Sequence, residues 1–146
     1  MTFTDLPTNW PNLPLTDPAR AADVVDLFVS AGDRRRGVLS ALLCNAEAHF
    51  LAAIHLDLPE GASRSSPRYC GKALAPLIPA LQVRPDGALI LALGRPSADP
   101  ASDHDWTEAV ARTCQAASIR LLAFYIATPD HLYAPPLPAG PTLEPT

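Results

Sequence analysis

Proline is the residue that most restricts how this 146-residue chain can fold. The chain contains 17 prolines, about 12% of its residues against ~5% in average proteins. Ten of them lie in residues 1–18 and 129–146. Because proline fixes φ and lacks an amide donor, these ends cannot supply central strands or long helices. We therefore expect an extended proline-rich arm over residues 1–16, a folded domain over residues 17–133 and a proline-rich tail over residues 134–146.

Composition and charge exclude several classes of protein. Apolar residues make up 48% of the chain and charged residues 18%, which is typical of a globular domain. No apolar run approaches the ~20 residues that cross a bilayer, and the polar start MTFTDLPTNW does not resemble a signal peptide. The net charge of −4 argues against a surface that tracks phosphates. We expect a soluble cytoplasmic protein with no membrane partner and no nucleic-acid partner.

The cysteines favour neither a disulfide framework nor a zinc knuckle. Cys44, Cys70 and Cys114 are odd in number, widely spaced and set among apolar neighbours, with no CxxC pair. We expect buried, reduced thiols. The tail segment APPLPAGPT is typical of a solvated chain end, and docking as a polyproline II ligand is the alternative.

The first half of the domain predicts a helix followed by a β-hairpin. Asp17 and Pro18 form a favourable helix start, an acidic N-cap before a proline at the first helical position, and the helix should end near Gly32. Apolar segments over residues 38–44 and 49–58 are separated by a short stretch with turn character. Two such strands predict an antiparallel pair.

The second half predicts a strand–helix–strand unit after an interrupted helix. A helix is expected over residues 67–81, ended or kinked by Pro76 and Pro79, after a polar loop over residues 59–66. The apolar strands over residues 88–93 and 119–127 flank a helix capped by Ser102. Strands joined by a helix should be parallel. The order α-β-β-α-β-α-β predicts helices packed on a mixed sheet of about four strands.

The loop after the third predicted strand matches a family pattern. A strand ending in His-x-His-Pro-Ser-Gly-Asp-Pro, then Ser-x-x-Asp at a helix start, is the pattern of bacterial RadC-like proteins of the JAB (MPN, JAMM) metalloprotease class. Pro96–Pro100 (PSADP) matches the loop, and Ser102–Asp105 (SDHD) matches Ser-x-x-Asp with one residue deleted. Ile119–Leu122 and Tyr133 resemble the last strand and the aromatic residue after it. The resemblance covers about residues 23–133.

Other segments resemble the same family. Ser66-Pro67-Arg68 with Lys72-Ala73-Leu74 is similar to the family's Pro-Arg-Glu-Val-Phe-Lys-x-Ala-Leu helix start. Residues 50–57 are similar to the family's strand ending in Leu-Asp. The resemblance implies a three-layer α-β-α fold with a mixed sheet of about four or more strands, the JAB (MPN) fold.

The zinc ligands that this resemblance implies are missing from the sequence. Zinc hydrolases of the class hold the metal through two histidines and the aspartate, and here the histidine positions are Leu93 and Arg95. Leucine has no donor atom, and a guanidinium stays protonated and repels a cation. The family's water-activating glutamate aligns near Ala48 or His49, one or two residues from Glu47. We therefore expect no metal, no cofactor and no catalytic residue.

Two residues of the pattern survive, Ser102 and Asp105. Since Arg95 puts a fixed positive charge where the resemblance places the metal, we predict a salt bridge between Arg95 and Asp105. The alternative is that Arg95 ends a strand and points to solvent. An exposed pair would contribute only ~0–1 kcal/mol to stability.

The sequence thus predicts a non-catalytic JAB-like domain, a pseudoenzyme that binds a protein or peptide partner. The expected binding groove is the former active site, formed by Leu93, Arg95, Ser97, Ser102 and Asp105. One alternative is a metal-assisted hydrolase that uses the acidic cluster Asp99, Asp103, His104 and Asp105, although helix capping explains those acids better. Another is a DNA-associated accessory protein using Arg34–Arg36, three charges more typical of a solvated strand edge. The sequence leaves the oligomeric state open.

Overall fold

The chain folds as a mixed α/β protein around a five-stranded sheet. The computed structural model describes residues 7–57, 69–83 and 86–137. A 3-10 turn at Trp10–Asn12 precedes the main elements. These are α1 (Pro18–Phe28), α2 (Ala31–Arg36), β1 (Val38–Cys44), β2 (Phe50–Asp57), α3 (Tyr69–Leu74), α4 (Ile78–Val83), β3 (Ala88–Gly94), α5 (Pro100–Ala116), β4 (Arg120–Ala127) and β5 (Leu132–Tyr133).

The strand order across the sheet is β2-β1-β3-β4-β5. β1 is antiparallel to both β2 and β3, β3 is parallel to β4, and β5 is antiparallel to β4. The predicted hairpin and the predicted strand–helix–strand unit are both confirmed. The parallel pair arises because α5 carries the chain from the end of β3 back to the start of β4.

The sheet buries side chains on both faces. Leu39 and Ala41 of β1 belong to one hydrophobic cluster, and Leu42 and Cys44 belong to another, because neighbouring residues of a strand point to opposite faces. Burial on both faces accounts for the continuous apolar sequence of β1 and β3. Each cluster is covered by different helices. The cluster with Leu42 and Cys44 receives Ala21, Val24 and Val25 from α1. The cluster with Leu39 and Ala41 receives residues from α3 and α5: Cys70, Leu74, Trp106, Val110 and Cys114.

The N-terminal arm packs onto the cluster that contains α1. Trp10 meets the rings of Phe28 and Phe50 at centroid distances of 6.1 and 5.2 Å. Leu15 is buried, and its amide donates to the carbonyl of Ala48 at 2.8 Å. Trp10 and Leu15 of the predicted arm therefore contribute to the core, while residues 1–6 lie outside the described part of the chain.

Local sequence signals set the limits of the first helices. The Asp17 carboxylate accepts a hydrogen bond from the Ala19 amide at 3.0 Å, which confirms the predicted start of α1. α1 ends at Phe28, earlier than the predicted end near Gly32, because Ser30 breaks the helix and caps α2 through its hydroxyl.

The prediction of a solvated edge at Arg34–Arg36 is confirmed for Arg35 and Arg36, which are exposed, and is wrong for Arg34, which is buried. Its Nε donates to the Val29 carbonyl at 3.0 Å, and its Nη1 donates to the Thr128 carbonyl at 3.1 Å. Its Nη2 forms a salt bridge with Asp26 at 2.8 Å. These acceptors replace the water that a buried guanidinium loses, and they fasten the α1–α2 connection to the end of β4.

The helix predicted over residues 67–81 is interrupted, as its prolines require. α3 and α4 are separated at residues 75–77, which confirms a break at Pro76. Pro79 lies in the first turn of α4, where its missing amide has no helical partner to lose. Pro67 and the predicted loop over residues 59–66 lie outside the described residues.

Gly94 ends β3 where the backbone of α2 comes closest. A Cβ at this position would lie 3.1 Å from the Asp33 carbonyl oxygen and 3.3 Å from the Arg34 Cα. We expect Gly94→Ala to lower the free energy of unfolding by about 1–2 kcal/mol, because the obstructing atoms are backbone and the helix must shift. Urea denaturation measures this change.

Gly71 provides the matched control for this substitution. It lies in α3, and a Cβ added there would have no other atom within 4 Å. Gly71→Ala should therefore raise the free energy of unfolding by up to about 1 kcal/mol, because alanine favours the helix. A Gly94→Ala variant as stable as the wild type would contradict the close approach of α2 and β3.

Candidate functional site

Arg95 lies beneath α5 at the end of β3. Its amide donates to the Ala127 carbonyl at 3.0 Å, which extends the pairing of β3 and β4 by one residue. Because side chains two residues apart on an extended chain share a face, Arg95 points to the same side as Leu93. The side chain is 0% exposed. The alternative in which Arg95 points to solvent is therefore wrong.

The start of α5 decides which acid faces Arg95. The helix begins at Pro100 with Asp99 as N-cap, whose carboxylate accepts from the Ser102 amide at 3.3 Å, so the predicted cap at Ser102 is wrong. Asp103 then lies one turn before the buried residues Trp106 and Thr107, on the same face of the helix. Asp103 is 6% exposed.

Asp103 joins Arg95 and Tyr133 in a buried polar network. Arg95 Nη1 forms a salt bridge with Asp103 Oδ1, and Arg95 Nη2 donates to Ser102 Oγ at 3.1 Å. The Tyr133 hydroxyl donates to Asp103 Oδ2 at 2.5 Å. The predicted salt bridge between Arg95 and Asp105 is wrong, because Asp105 lies on the exposed side of α5.

Tyr133 reaches this network from β5. It pairs with Ile126 of β4, whose side chain belongs to the cluster beneath α5. Burial raises the pKa of Tyr133, and the hydrogen bond to Asp103 and the negative charge of that carboxylate raise it further, while Arg95 opposes the shift. Tyr133 therefore holds its proton and acts as a hydrogen-bond donor to Asp103.

The five residues of the expected groove do not form one surface. Leu93 and Arg95 are fully buried, Ser102 is 8% exposed, and Ser97 and Asp105 are exposed. Of these, the structure brings Arg95 and Ser102 into contact. Leu93 and Arg95 lie under the helix, where a partner cannot reach their side chains.

The residues present do not fit the zinc ion that the family resemblance implies. The two histidine positions hold an apolar side chain, Leu93, and a cation, Arg95. The inward-facing acid, Asp103, has one oxygen engaged by Arg95 and the other by Tyr133. Tetrahedral zinc needs at least three protein donors, and this network supplies one carboxylate, which Arg95 already neutralises.

The acidic cluster at the start of α5 does not converge either. Asp99 caps the helix, Asp103 points inward, and Asp105 is exposed. The His104 ring is mostly exposed and lies 3.6 Å from the Glu108 carboxylate. Across residues 7–57, 69–83 and 86–137, no three His, Cys, Asp or Glu side chains are grouped to hold a metal.

The cysteines are free and buried, as the sequence predicts. Burial raises the pKa of the Cys44 and Cys70 thiols to about 11 and that of Cys114 to about 12. Since the thiolate is the nucleophile, none of these three thiols is activated for catalysis.

A cavity of about 730 Å³ opens directly beside the Arg95–Asp103–Tyr133 network. We call it the α5 groove. One wall is the start of α5 and the other is the chain that follows β5. The groove is lined by Ala98, Pro100, Asp103, His104, Thr107, Tyr133, Ala134, Pro135, Pro136 and Leu137.

Sequence reasoning did not identify Asp103 and Tyr133 as the residues that join Arg95 in a buried network. A signal for Asp103 existed, because it precedes Trp106 by three residues and Val110 by seven and therefore shares their buried face. Tyr133 carried no such signal, since its role depends on the pairing of the two-residue strand β5 with β4.

Comparison with known protein families, curated proteins and solved structures finds no match to this chain. No helix in the described ranges is both long enough and apolar enough to span a bilayer.

Proposed function

We propose that this chain is a non-catalytic, cytoplasmic domain with a three-layer α-β-α fold of the JAB type, and that it binds a peptide segment of a protein partner. The ligand is an apolar segment flanked by a lysine or arginine, and the α5 groove receives it. One observation carries the proposal: the groove is large and its buried polar groups are already paired with one another.

The pairing of the groove's polar groups selects an apolar ligand. Asp103 is engaged by Arg95 and Tyr133, and the Thr107 hydroxyl donates to the Asp103 carbonyl at 2.7 Å. A ligand therefore finds few free hydrogen-bonding groups inside the groove. The walls supply small aliphatic side chains and proline rings, and a volume of about 730 Å³ lies in the range of small-ligand pockets.

The segment Ala134–Leu137 favours packing over strand addition. Pro135 and Pro136 lack amide donors, so a ligand cannot extend the sheet along this wall. Proline and tyrosine rings instead present flat apolar surfaces of the kind that extended peptides use.

Charge beside the groove selects a basic neighbour in the ligand. Residues 96–111 contain the carboxylates of Asp99, Asp103, Asp105 and Glu108 and no Lys or Arg. Asp105 is exposed next to the groove residue His104, and Asp99 adjoins the lining residues Ala98 and Pro100. A lysine or arginine beside the apolar segment of the ligand would be attracted by these carboxylates. This attraction speeds association and is screened by salt.

Other observations support the remaining parts of the proposal. Two hydrophobic clusters on opposite faces of the sheet are compatible with three layers. Free, buried thiols suit a reducing compartment. Burial of Arg34 and pairing of Arg36 with Asp33 at 2.7 Å leave little of the basic run for a nucleic acid.

Peptide selection tests the proposed function. A random peptide library is selected on the immobilised full-length chain, and the enriched peptides are measured by fluorescence anisotropy. We expect enrichment of apolar segments that carry Lys or Arg, with binding that weakens as salt is raised. Enrichment of acidic peptides, or no enrichment, would overturn the proposal.

A matched pair of substitutions locates the binding. Ala134 is exposed and lines the groove, so Ala134→Trp fills it and should weaken peptide binding roughly tenfold or more. Ala101 is exposed on α5 and does not line the groove, so Ala101→Trp should bind as the wild type does. Equal effects of the two substitutions would place the ligand elsewhere.

A further inference from the structure

The direction of each acidic side chain of α5 decides which of them a ligand in the α5 groove can reach. The helical residues that line the groove, Pro100, Asp103, His104 and Thr107, are three and four residues apart and therefore share one face of the helix. Since consecutive helical residues are rotated by about 100°, a carboxylate on or beside this face lies at the groove, and one on the opposite face points away from it.

Three of the carboxylates near the groove are excluded as direct contacts of the ligand. Asp103 is buried, and each of its oxygens already has a partner. Asp99 accepts the Ser102 amide at the start of the helix, where the partial positive charge of the helix end opposes a second cation. Asp105 is rotated by about 200° from Asp103, so its side chain points away from the groove.

Glu108 remains, and its position suits the basic residue of the ligand. It follows the lining residue Thr107 and lies one turn beyond the lining residue His104, which places it at the rim of the groove. Its side chain is 46% exposed, and the His104 ring lies 3.6 Å from its carboxylate. Among the described residues, Arg112 forms no ion pair with Glu108 although it lies one turn further along α5.

We propose that Glu108 pairs with the lysine or arginine of the ligand and thereby determines both the preference for a basic residue and the orientation of the bound peptide. The inference rests on the proposed function, because it concerns the same groove. The apolar segment of the ligand lies along Pro100–Thr107, and its cation lies at the end nearer the carboxyl terminus of α5. There the cation replaces the His104 ring as the partner of the Glu108 carboxylate. The other carboxylates contribute the long-range attraction that speeds association.

The binding of two peptides to two variants tests this assignment. The peptide enriched by the selection described above is synthesised with arginine at its basic position and with citrulline, the uncharged isostere, and both are measured by fluorescence anisotropy. The wild type should bind the arginine peptide about fivefold more tightly than the citrulline peptide. Glu108→Gln should reduce this ratio to less than about twofold. Asp105→Asn, which removes the same charge from the opposite face of the same helix, should keep the ratio of the wild type.

The possible outcomes separate this inference from the proposed function. If both peptides bind the wild type, lose binding in Ala134→Trp and show an equal loss of the arginine preference in the two variants, the inference alone is overturned. If neither peptide binds the wild type, the proposed function is overturned and the inference with it.

Dissociation rates provide a second measurement. A direct contact slows dissociation, whereas a charge that does not touch the ligand acts mainly on association. Glu108→Gln should therefore speed dissociation of the arginine peptide about fivefold, and Asp105→Asn should leave it within about twofold of the wild type. Equal dissociation rates in the two variants would also overturn the inference. Circular dichroism verifies that both variants keep the fold.

Discussion

Asp103→Ala is expected to lower the free energy of unfolding by about 3–5 kcal/mol, because it leaves the Arg95 guanidinium buried without a counter-charge. The substitution also removes the acceptor of the Tyr133 hydroxyl. Arg95 would keep one neutral acceptor, Ser102 Oγ at 3.1 Å from Nη2, while its Nε has no hydrogen-bond partner among the described residues. Urea denaturation at pH 7, with the slope compared between variants, measures the loss.

Two further variants test whether the loss of stability comes from the unpaired charge of Arg95. Asp105→Ala, two residues along the same helix but exposed, should change stability by less than about 0.5 kcal/mol. Replacing both partners, Arg95→Met with Asp103→Leu, should restore wild-type stability or exceed it by about 1–4 kcal/mol, because no charge then remains buried. A double variant as unstable as Asp103→Ala would show that packing, and not the unpaired charge, causes the loss.

Alkaline pH is expected to destabilise the fold steeply, through its buried thiols. In the folded chain burial raises the pKa of Cys44 and Cys70 to about 11 and that of Cys114 to about 12, from an ordinary value of 9.0. The unfolded chain therefore releases these protons first. The stability they contribute is complete below about pH 9 and is lost as pH rises through the folded pKa values.

The size of the alkaline effect follows from linkage. Each thiol that is neutral when folded and ionised when unfolded lowers the free energy of unfolding by about 1.4 kcal/mol per pH unit. Between about pH 9.5 and about pH 11, three such thiols, each partly titrated in one state or the other, give a slope of about 3 kcal/mol per pH unit. Tyr133, whose pKa is also raised, continues the trend at higher pH.

Denaturation curves at a series of pH values, recorded with a reductant, test this slope. Cys70→Ala should make the slope shallower by about 1 kcal/mol per pH unit, even though the smaller side chain lowers stability at neutral pH. A stability profile that stays flat through this range would contradict burial of the thiols. So would an unchanged slope in the Cys70→Ala variant.

Local signals in the sequence were sufficient for most of the sheet and its connections. The acidic cap at Asp17 and the break at Pro76 act over a few residues, so their effects could be predicted. The apolar runs of β1 and β3 and the helix between β3 and β4 fixed the pairing directions. Burial of Arg34 could not be predicted, because its acceptor at Thr128 is 94 residues away.

The candidate site was predicted less well, for a physical reason. The helix cap was predicted at Ser102, whereas the structure has it at Asp99. With that start, Asp105 was predicted as the salt-bridge partner of Arg95, a role that Asp103 has in the structure. Because consecutive helical residues are rotated by about 100°, small errors in register change which side chain is buried. The position of Arg95 at the end of β3 was predicted, but its partner required the true start of α5.

The long-range bonds of α1 and α2 carry a consequence for how the chain is made on the ribosome. Tyr125 donates to the Pro18 carbonyl across 107 residues, and Arg34 meets Thr128. The segment of α1 and α2 thus contains a carbonyl and a guanidinium whose partners are synthesised 107 and 94 residues later. A nascent chain that has not reached Thr128 cannot complete these contacts, so vectorial synthesis should leave α1 and α2 without them until β4 and the residue after it have emerged from the ribosome.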